Sequence, residues 1–239
     1  MDLKLGARLW DDSAPPAKRT RLDTVAQSTT SASLGFRLAG MRVWEGPPRP
    51  SANGDASLPT DGQSEKPLST YADDTGYRFY NKLFGRSLTP STLPAALRTF
   101  LHVPSANIDI DIASKLAHAI YAEISQILQI LERTEVRLVS SSILVTYEGD
   151  GAAFRAREER LRQLAEDKDV TEHEHEGDTD DEEDEEPVLY RVKLIDFAHA
   201  RFTPGRGADE NILPGVRNIE REIRALCDEL MSADTSHGT

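Results

Sequence analysis

VRLVSSSILVTYEG (136–149) and VLYRVKLIDFAHA (188–200) are the two stretches on which the fold turns. Both are rich in β-branched and apolar residues over the length of a strand, a composition that suits a buried pleated surface. Only an insertion separates them, so they are expected to pair antiparallel across it. Just upstream, Ile112, Leu116, Ile120, Ile124, Ile127, Leu128 and Leu131 recur at helical spacing and predict an amphipathic helix of about six turns. Just downstream, Val216, Ile219, Ile223, Leu226 and Leu230 are spaced by 3, 4, 3 and 4. That is a helix with one apolar stripe, too short for a coiled coil and better suited to docking on the domain.

Further out, residues 2–10 alternate and predict a strand, and 35–44 (GFRLAGMRVW) predict another. Residues 15–28 open with Pro-Pro, which suits the first turn of a helix. Residues 76–85 and 90–101 read as short helices. Together these elements give an α+β fold, an antiparallel sheet flanked by helices. Two segments stand outside it. Residues 46–67 are rich in Pro, Gly, Ser and Asp. Residues 149–187 start with a charged piece, helical at 152–166, and end in an acidic run. Neither has enough apolar surface to offset its ordering entropy, so both are expected to be disordered insertions in a unit spanning 1–232, with 233–239 a flexible tail.

The net charge of −13 is a local property, because Glu172–Glu186 holds eleven carboxylates and the remainder carries only −2. An anionic ligand is therefore compatible with the rest of the chain, and the acidic loop offers a surface to a basic protein partner. His173 and His175 in that run read as solvated rather than metal-binding. The single cysteine, Cys227, excludes an internal disulfide framework. No apolar run is long enough for a membrane span, and the first residues lack the apolar core of a signal peptide. Lys and Arg are not interleaved with aromatics, so no direct nucleic-acid surface is expected. An intracellular location, nucleus or cytoplasm or both, fits these features and a short basic KRTR cluster.

Three places carry candidate chemistry. In Asp2-Leu3-Lys4-Leu5-Gly6, strand alternation puts Asp2 and Lys4 on one face and the leucines on the other. An acid beside an amine can meet ribose hydroxyls and phosphates, although an ordinary half-exposed strand reads the same way. Lys18 and Arg21 lie three apart after Pro15-Pro16, on one helix face near a terminus that favours anions. A solvated helix face is the competing reading. In Leu194-Ile195-Asp196-Phe197-Ala198-His199, an apolar strand delivers a carboxylate at its end, as kinases do to hold Mg²⁺; in isolation Asp196 reads equally as a turn former and His199 as a satisfied polar side chain.

Taken in order, Asp2-Leu3-Lys4-Leu5-Gly6, Ser141-Ser142-Ile143-Leu144 and Ile195-Asp196-Phe197-Ala198-His199 resemble motifs of the inositol polyphosphate kinases, as do the linking SAPPAKRTR and GFRLAGMRVW segments. The resemblance covers roughly 1–45, 68–148 and 188–232. It implies the large lobe of a two-lobed kinase-like fold, with ATP and Mg²⁺ as cofactors and inositol polyphosphates as substrates. It further implies that Asp2 contacts the ribose and Lys4 bridges the transferred phosphoryl group and substrate. Lys18 and Arg21 would bind inositol phosphate groups, Asp196 the metal, and His199 the substrate. One of Ser141 and Ser142 would sit near the metal and phosphates. Ser142 is preferred because it shares a strand face with Ser140. Met1 stands where the motif is preceded by further residues, so the small lobe that holds adenine is expected to be missing and these 239 residues to have weak or no kinase activity. Arg21 stands where the multikinase branch often has an uncharged residue, which leaves the phosphate regiochemistry open. An inositol hexakisphosphate kinase and a non-catalytic inositol-phosphate- or protein-binding module remain the alternatives.

Overall fold

The computed structural model describes residues 1–47, 69–71, 75–171 and 188–235. Strand β1 (Asp2–Leu5) is followed by helices α1 (Pro16–Gln27) and α2 (Thr30–Leu34) and by strand β2 (Phe36–Trp44). Next come β3 (Ser69–Tyr71), β4 (Tyr77–Tyr80), α3 (Lys82–Ser87), α4 (Leu93–Leu101) and the long α5 (Ile110–Arg133). Strands β5 (Val136–Leu138) and β6 (Ser142–Tyr147) precede α6 (Gly151–Thr171), and β7 (Tyr190–Ile195), β8 (Ala200–Phe202) and α7 (Leu213–Thr235) complete the fold. Six strands form one antiparallel sheet in the order β3-β4-β2-β1-β6-β7, and β5 pairs separately with β8.

Helix α5 forms because its apolar stripe has a matching surface to cover. Asp109 caps it by accepting from the Ile112 N–H at 3.1 Å, and Ile112, Leu116, Ile120 and Ile124 are completely or almost completely buried. It packs along α7, whose Val216, Ile219, Ile223 and Leu230 complete the helical layer of the core. The start of α7 approaches the α2–β2 turn so closely that a Cβ on Gly215 would lie 2.2 Å from the Gly35 carbonyl oxygen. Only glycine permits that contact.

Several sequence expectations change. The first strand stops at Leu5 instead of reaching residue 10, because Gly6 turns with φ +94°. The 136–149 stretch is two strands in two sheets, broken at Ser140, whose φ is +62°. The predicted 76–85 helix is a strand pairing with β2, followed by α3. The charged piece after residue 149 is a 21-residue helix rather than a short one at 152–166. Phe154 anchors it in the core, while Arg155 pairs with Asp109 and Asp111 and Lys115 pairs with Glu158 at 2.9 Å. Helix α7 runs through residue 232 to Thr235, into the expected tail. Most of 46–67 and the whole acidic run, with His173 and His175, lie outside the described residues.

Candidate active site

Strand β1 lies in the interior of the sheet, between β2 and β6, so each of its residues has a neighbour on both sides. Leu3 lies opposite Leu38 and Ile143, all essentially unexposed, and these define the core face. Residues directly opposite one another share a face. Lys4 is opposite Arg37 on β2 and Ser142 on β6, and Ser142 is opposite Ile195 on β7. The other face thus brings Asp2, Lys4, Arg37 and Ser142 together.

Lys4 Nζ donates to the Ser140 carbonyl at 2.7 Å and lies 3.6 Å from Asp196 Oδ2. Two residues with left-handed backbone, Ser140 and Asp196 (φ +67°), make this arrangement. One turns its carbonyl toward the ammonium and the other ends β7 by turning its carboxylate back beside β1. Asp196 remains 55% exposed and Lys4 21%, so the carboxylate is open to solvent and the amine is sheltered.

Orphaned polar atoms mark the same face. Asp2 Oδ1 and Ser142 Oγ are buried there with no hydrogen-bond partner; Ser141 Oγ and Thr30 Oγ1 are orphaned too, but the register does not place them on this face. Buried polar groups without partners are unusual, and they suit a polar ligand laid on the sheet. The preference for Ser142 therefore needs a different reason: Ser140 is left-handed, so alternation does not carry across it, and the register with Lys4 is what places Ser142 on this face. Among the described residues no three His, Cys, Asp or Glu side chains gather to form a protein cage for a metal. A single exposed carboxylate instead fits a hard cation that keeps waters and phosphate oxygens as its other ligands.

The second half of the site is the loop from Gly6 to α1. Asn211 clamps its start: its Oδ1 accepts from the Arg8 N–H at 2.8 Å and its Nδ2 donates to the Arg8 carbonyl at 3.1 Å. A Cβ on Gly6 would lie 2.6 Å from that Nδ2. Buried Asp209 sets the clamp by accepting from the backbone N–H groups of Leu138 and Asn211. Arg19 is used structurally, donating to the carbonyls of Ala14 and Asp12 and lying 4.7 Å from the Trp10 ring centroid, which Arg8 also faces at 4.1 Å. Lys18 and Arg21 stay exposed on α1, a helix that buries only Ala26. His199 Nδ1 is 3.0 Å from Asp11 Oδ2. Asp11's carboxyl is held below its usual range, first by the hydroxyl and N–H of Ser13 and then by the charges of His199 and Lys18. That carboxylate pairs the loop before α1 with His199.

Sequence reasoning missed Arg37, Asp11, Asp209 and Asn211. Arg37 is half-buried, donates to Ser31 Oγ at 3.0 Å, and has its pKa lowered by burial and by the nearby Arg86. Its only signal was position: a charged residue one place from Phe36 in a strand that is apolar apart from it and Arg42. An apolar groove of about 400 Å³, lined by Ile130, Leu138, Leu194, Phe197 and Phe202 among others, opens beside the Asp196 turn. Its lining is unsuited to phosphate.

The chain is similar to known proteins over most of its length. The chain is 31% identical over 237 residues to the inositol polyphosphate multikinase of Saccharomyces cerevisiae, covering 92% of this chain and 62% of that protein. It is 27% identical to human inositol hexakisphosphate kinase 1, covering 96% of this chain and 49% of that one. It thus spans between about half and three-fifths of the length of these relatives. A solved structure, the S. cerevisiae inositol phosphate multikinase Ipk2 in complex with ADP and Mn²⁺, superposes with a TM-score of 0.66 at 30% identity, covering 94% of this chain and 76% of that one. The inositol polyphosphate kinase family model matches residues 1–224, nearly the whole chain, and to that family this chain belongs.

Proposed function

We propose that the complete protein transfers the terminal phosphoryl group of ATP to a hydroxyl of a soluble inositol polyphosphate, in the manner of a multikinase, with Mg²⁺ as the metal. The observation that carries this reading is the sheltered Lys4 ammonium 3.6 Å from the open Asp196 carboxylate, with the orphaned Ser142 hydroxyl on the same face. The named activity of the yeast relative and the ADP and Mn²⁺ in its solved structure support it.

Each residue then has a physical task. Asp2 accepts hydrogen bonds from ribose hydroxyls through its unpartnered Oδ1. Asp196 is the carboxylate that would hold Mg²⁺, which when bound offsets phosphate charge. Ser142 donates to a phosphate oxygen. Lys4, already desolvated on one side, places positive charge where the migrating phosphoryl group develops negative charge. Lys18 and Arg21 hold inositol phosphates, and Arg37 adds a cation directly opposite Lys4. Phosphoryl transfer needs this positioning and electrostatic complementarity, and no covalent nucleophile.

Calorimetric titration of the 239-residue chain with inositol trisphosphate tests the substrate half. Lys18→Ala is expected to weaken binding by about tenfold or more, the scale of a lost charge-assisted contact, while Asp196→Ala leaves it nearly intact. A parallel titration with Mg²⁺-ATP reads the open face, where any binding should vanish in Asp196→Ala. A folded chain that binds neither ligand would overturn the assignment.

A further inference from the structure

The loop joining β1 to α1 holds two consecutive carboxylates that reach the exit of β7. Asp11 Oδ2 is 3.0 Å from His199 Nδ1, and Asp12 pairs with Arg8 and, at 3.7 Å, with Arg201. Asp11 is itself fixed. Its Oδ1 accepts from the Ser13 N–H at 2.7 Å and from the Ser13 hydroxyl, and its carbonyl accepts from the Ala14 N–H at 3.1 Å. The side chain is only 17% exposed, whereas His199 is 47% exposed. The ring thus has one nitrogen tied to the protein and one edge toward solvent.

An ionised carboxylate only accepts hydrogen bonds, so the nitrogen facing it must carry the hydrogen. We propose that Asp11 is a positioning residue, fixing His199 with its hydrogen on Nδ1 and presenting the unprotonated Nε2 as an acceptor to an inositol hydroxyl. This rests on the reading that His199 touches the inositol phosphate.

Imidazole ¹⁵N spectra of the labelled 239-residue chain test the two parts separately, with His199→Gln identifying the signal. The parent should show a protonated, hydrogen-bonded Nδ1 at His199. Asp11→Ala should shift the neutral ring toward the Nε2–H form and weaken inositol trisphosphate binding by about fivefold, the worth of one ordinary hydrogen bond. Asp11→Asn, which can still accept through its amide oxygen, should restore most of both and remains readable if the alanine variant unfolds. An unprotonated Nδ1 in the parent, or a tautomer unmoved by Asp11→Ala, overturns the proposal. A tautomer that shifts while affinity holds would keep the Asp11–His199 link and overturn the contact of His199 with the ligand.

Discussion

The two faces of β1 are made by the same four residues and have opposite characters. Leu3 and Leu5 are wholly buried against Leu38, Phe36 and Ile143, with their contacts complete. Asp2 and Lys4, one residue away in each case, look onto a face that also holds Arg37 and the unpartnered Ser142 hydroxyl. Period-two geometry lets one strand spend alternate residues on stability and on a ligand. It follows that substitutions on the two faces should separate cleanly, with one face changing unfolding and the other changing binding.

The largest effect is expected on the core face. Leu5→Ala removes a fully buried side chain beneath the central strand and should lower unfolding free energy by about 2–5 kcal/mol in urea titration. Where the variant remains folded, its affinity for inositol trisphosphate should be nearly that of the parent. A loss well under 1 kcal/mol would mean that the sheet is not seated on α5 and α7 as described.

Lys4→Ala is the counterpart on the open face. It removes the donor to the Ser140 carbonyl and the cation beside Asp196, both near solvent. Inositol trisphosphate binding should fall by about 10–100-fold, as expected for a charge-assisted contact, with stability changed by about 1 kcal/mol or less. If stability instead falls as far as in Leu5→Ala, Lys4 is structural and the division between the faces fails.

How much of this was legible depended on whether the deciding contact was local. The stripes of α5 and α7 each lie within one helix, and periodicity alone finds Ile112–Leu131 and Val216–Leu230 inside the observed 110–133 and 213–235. The opposite faces of Asp2-Leu3-Lys4-Leu5 are likewise a property of four adjacent residues. The end of β1 was illegible, because Gly6 is turned out of the strand against Asn211, from the far end of the chain. The break at Ser140 was hidden in a run of three serines that offers no apolar pattern, and it is defined by the Leu9 carbonyl, which accepts from Ser140 Oγ, and by Lys4. Tyr77–Tyr80 pairs with Met41–Trp44, and its Tyr-Arg-Phe-Tyr composition already favours a strand, so the helical expectation there misjudged a signal that was legible. Asp11 sits in a loop, where periodicity says nothing, and only the folded chain brings it to His199.

The smallest expected effect is also the most diagnostic of the open face. Ser142 is fully buried, yet its hydroxyl has no partner, so folding strips water from that group without replacing the hydrogen bond. Removing an unsatisfied hydroxyl relieves a desolvation cost and leaves only a small void, so Ser142→Ala should be neutral or stabilising by up to about 1 kcal/mol. Ser31 is the control: it is equally buried, but its hydroxyl accepts from Arg37 at 3.0 Å, and Ser31→Ala should destabilise by about 1 kcal/mol because that guanidinium loses its acceptor. The urea midpoints of the two variants should therefore move in opposite directions, or only that of Ser31→Ala should move. If Ser142→Ala loses as much as Ser31→Ala, the hydroxyl is satisfied in the folded chain, and it is not held in reserve for a phosphate.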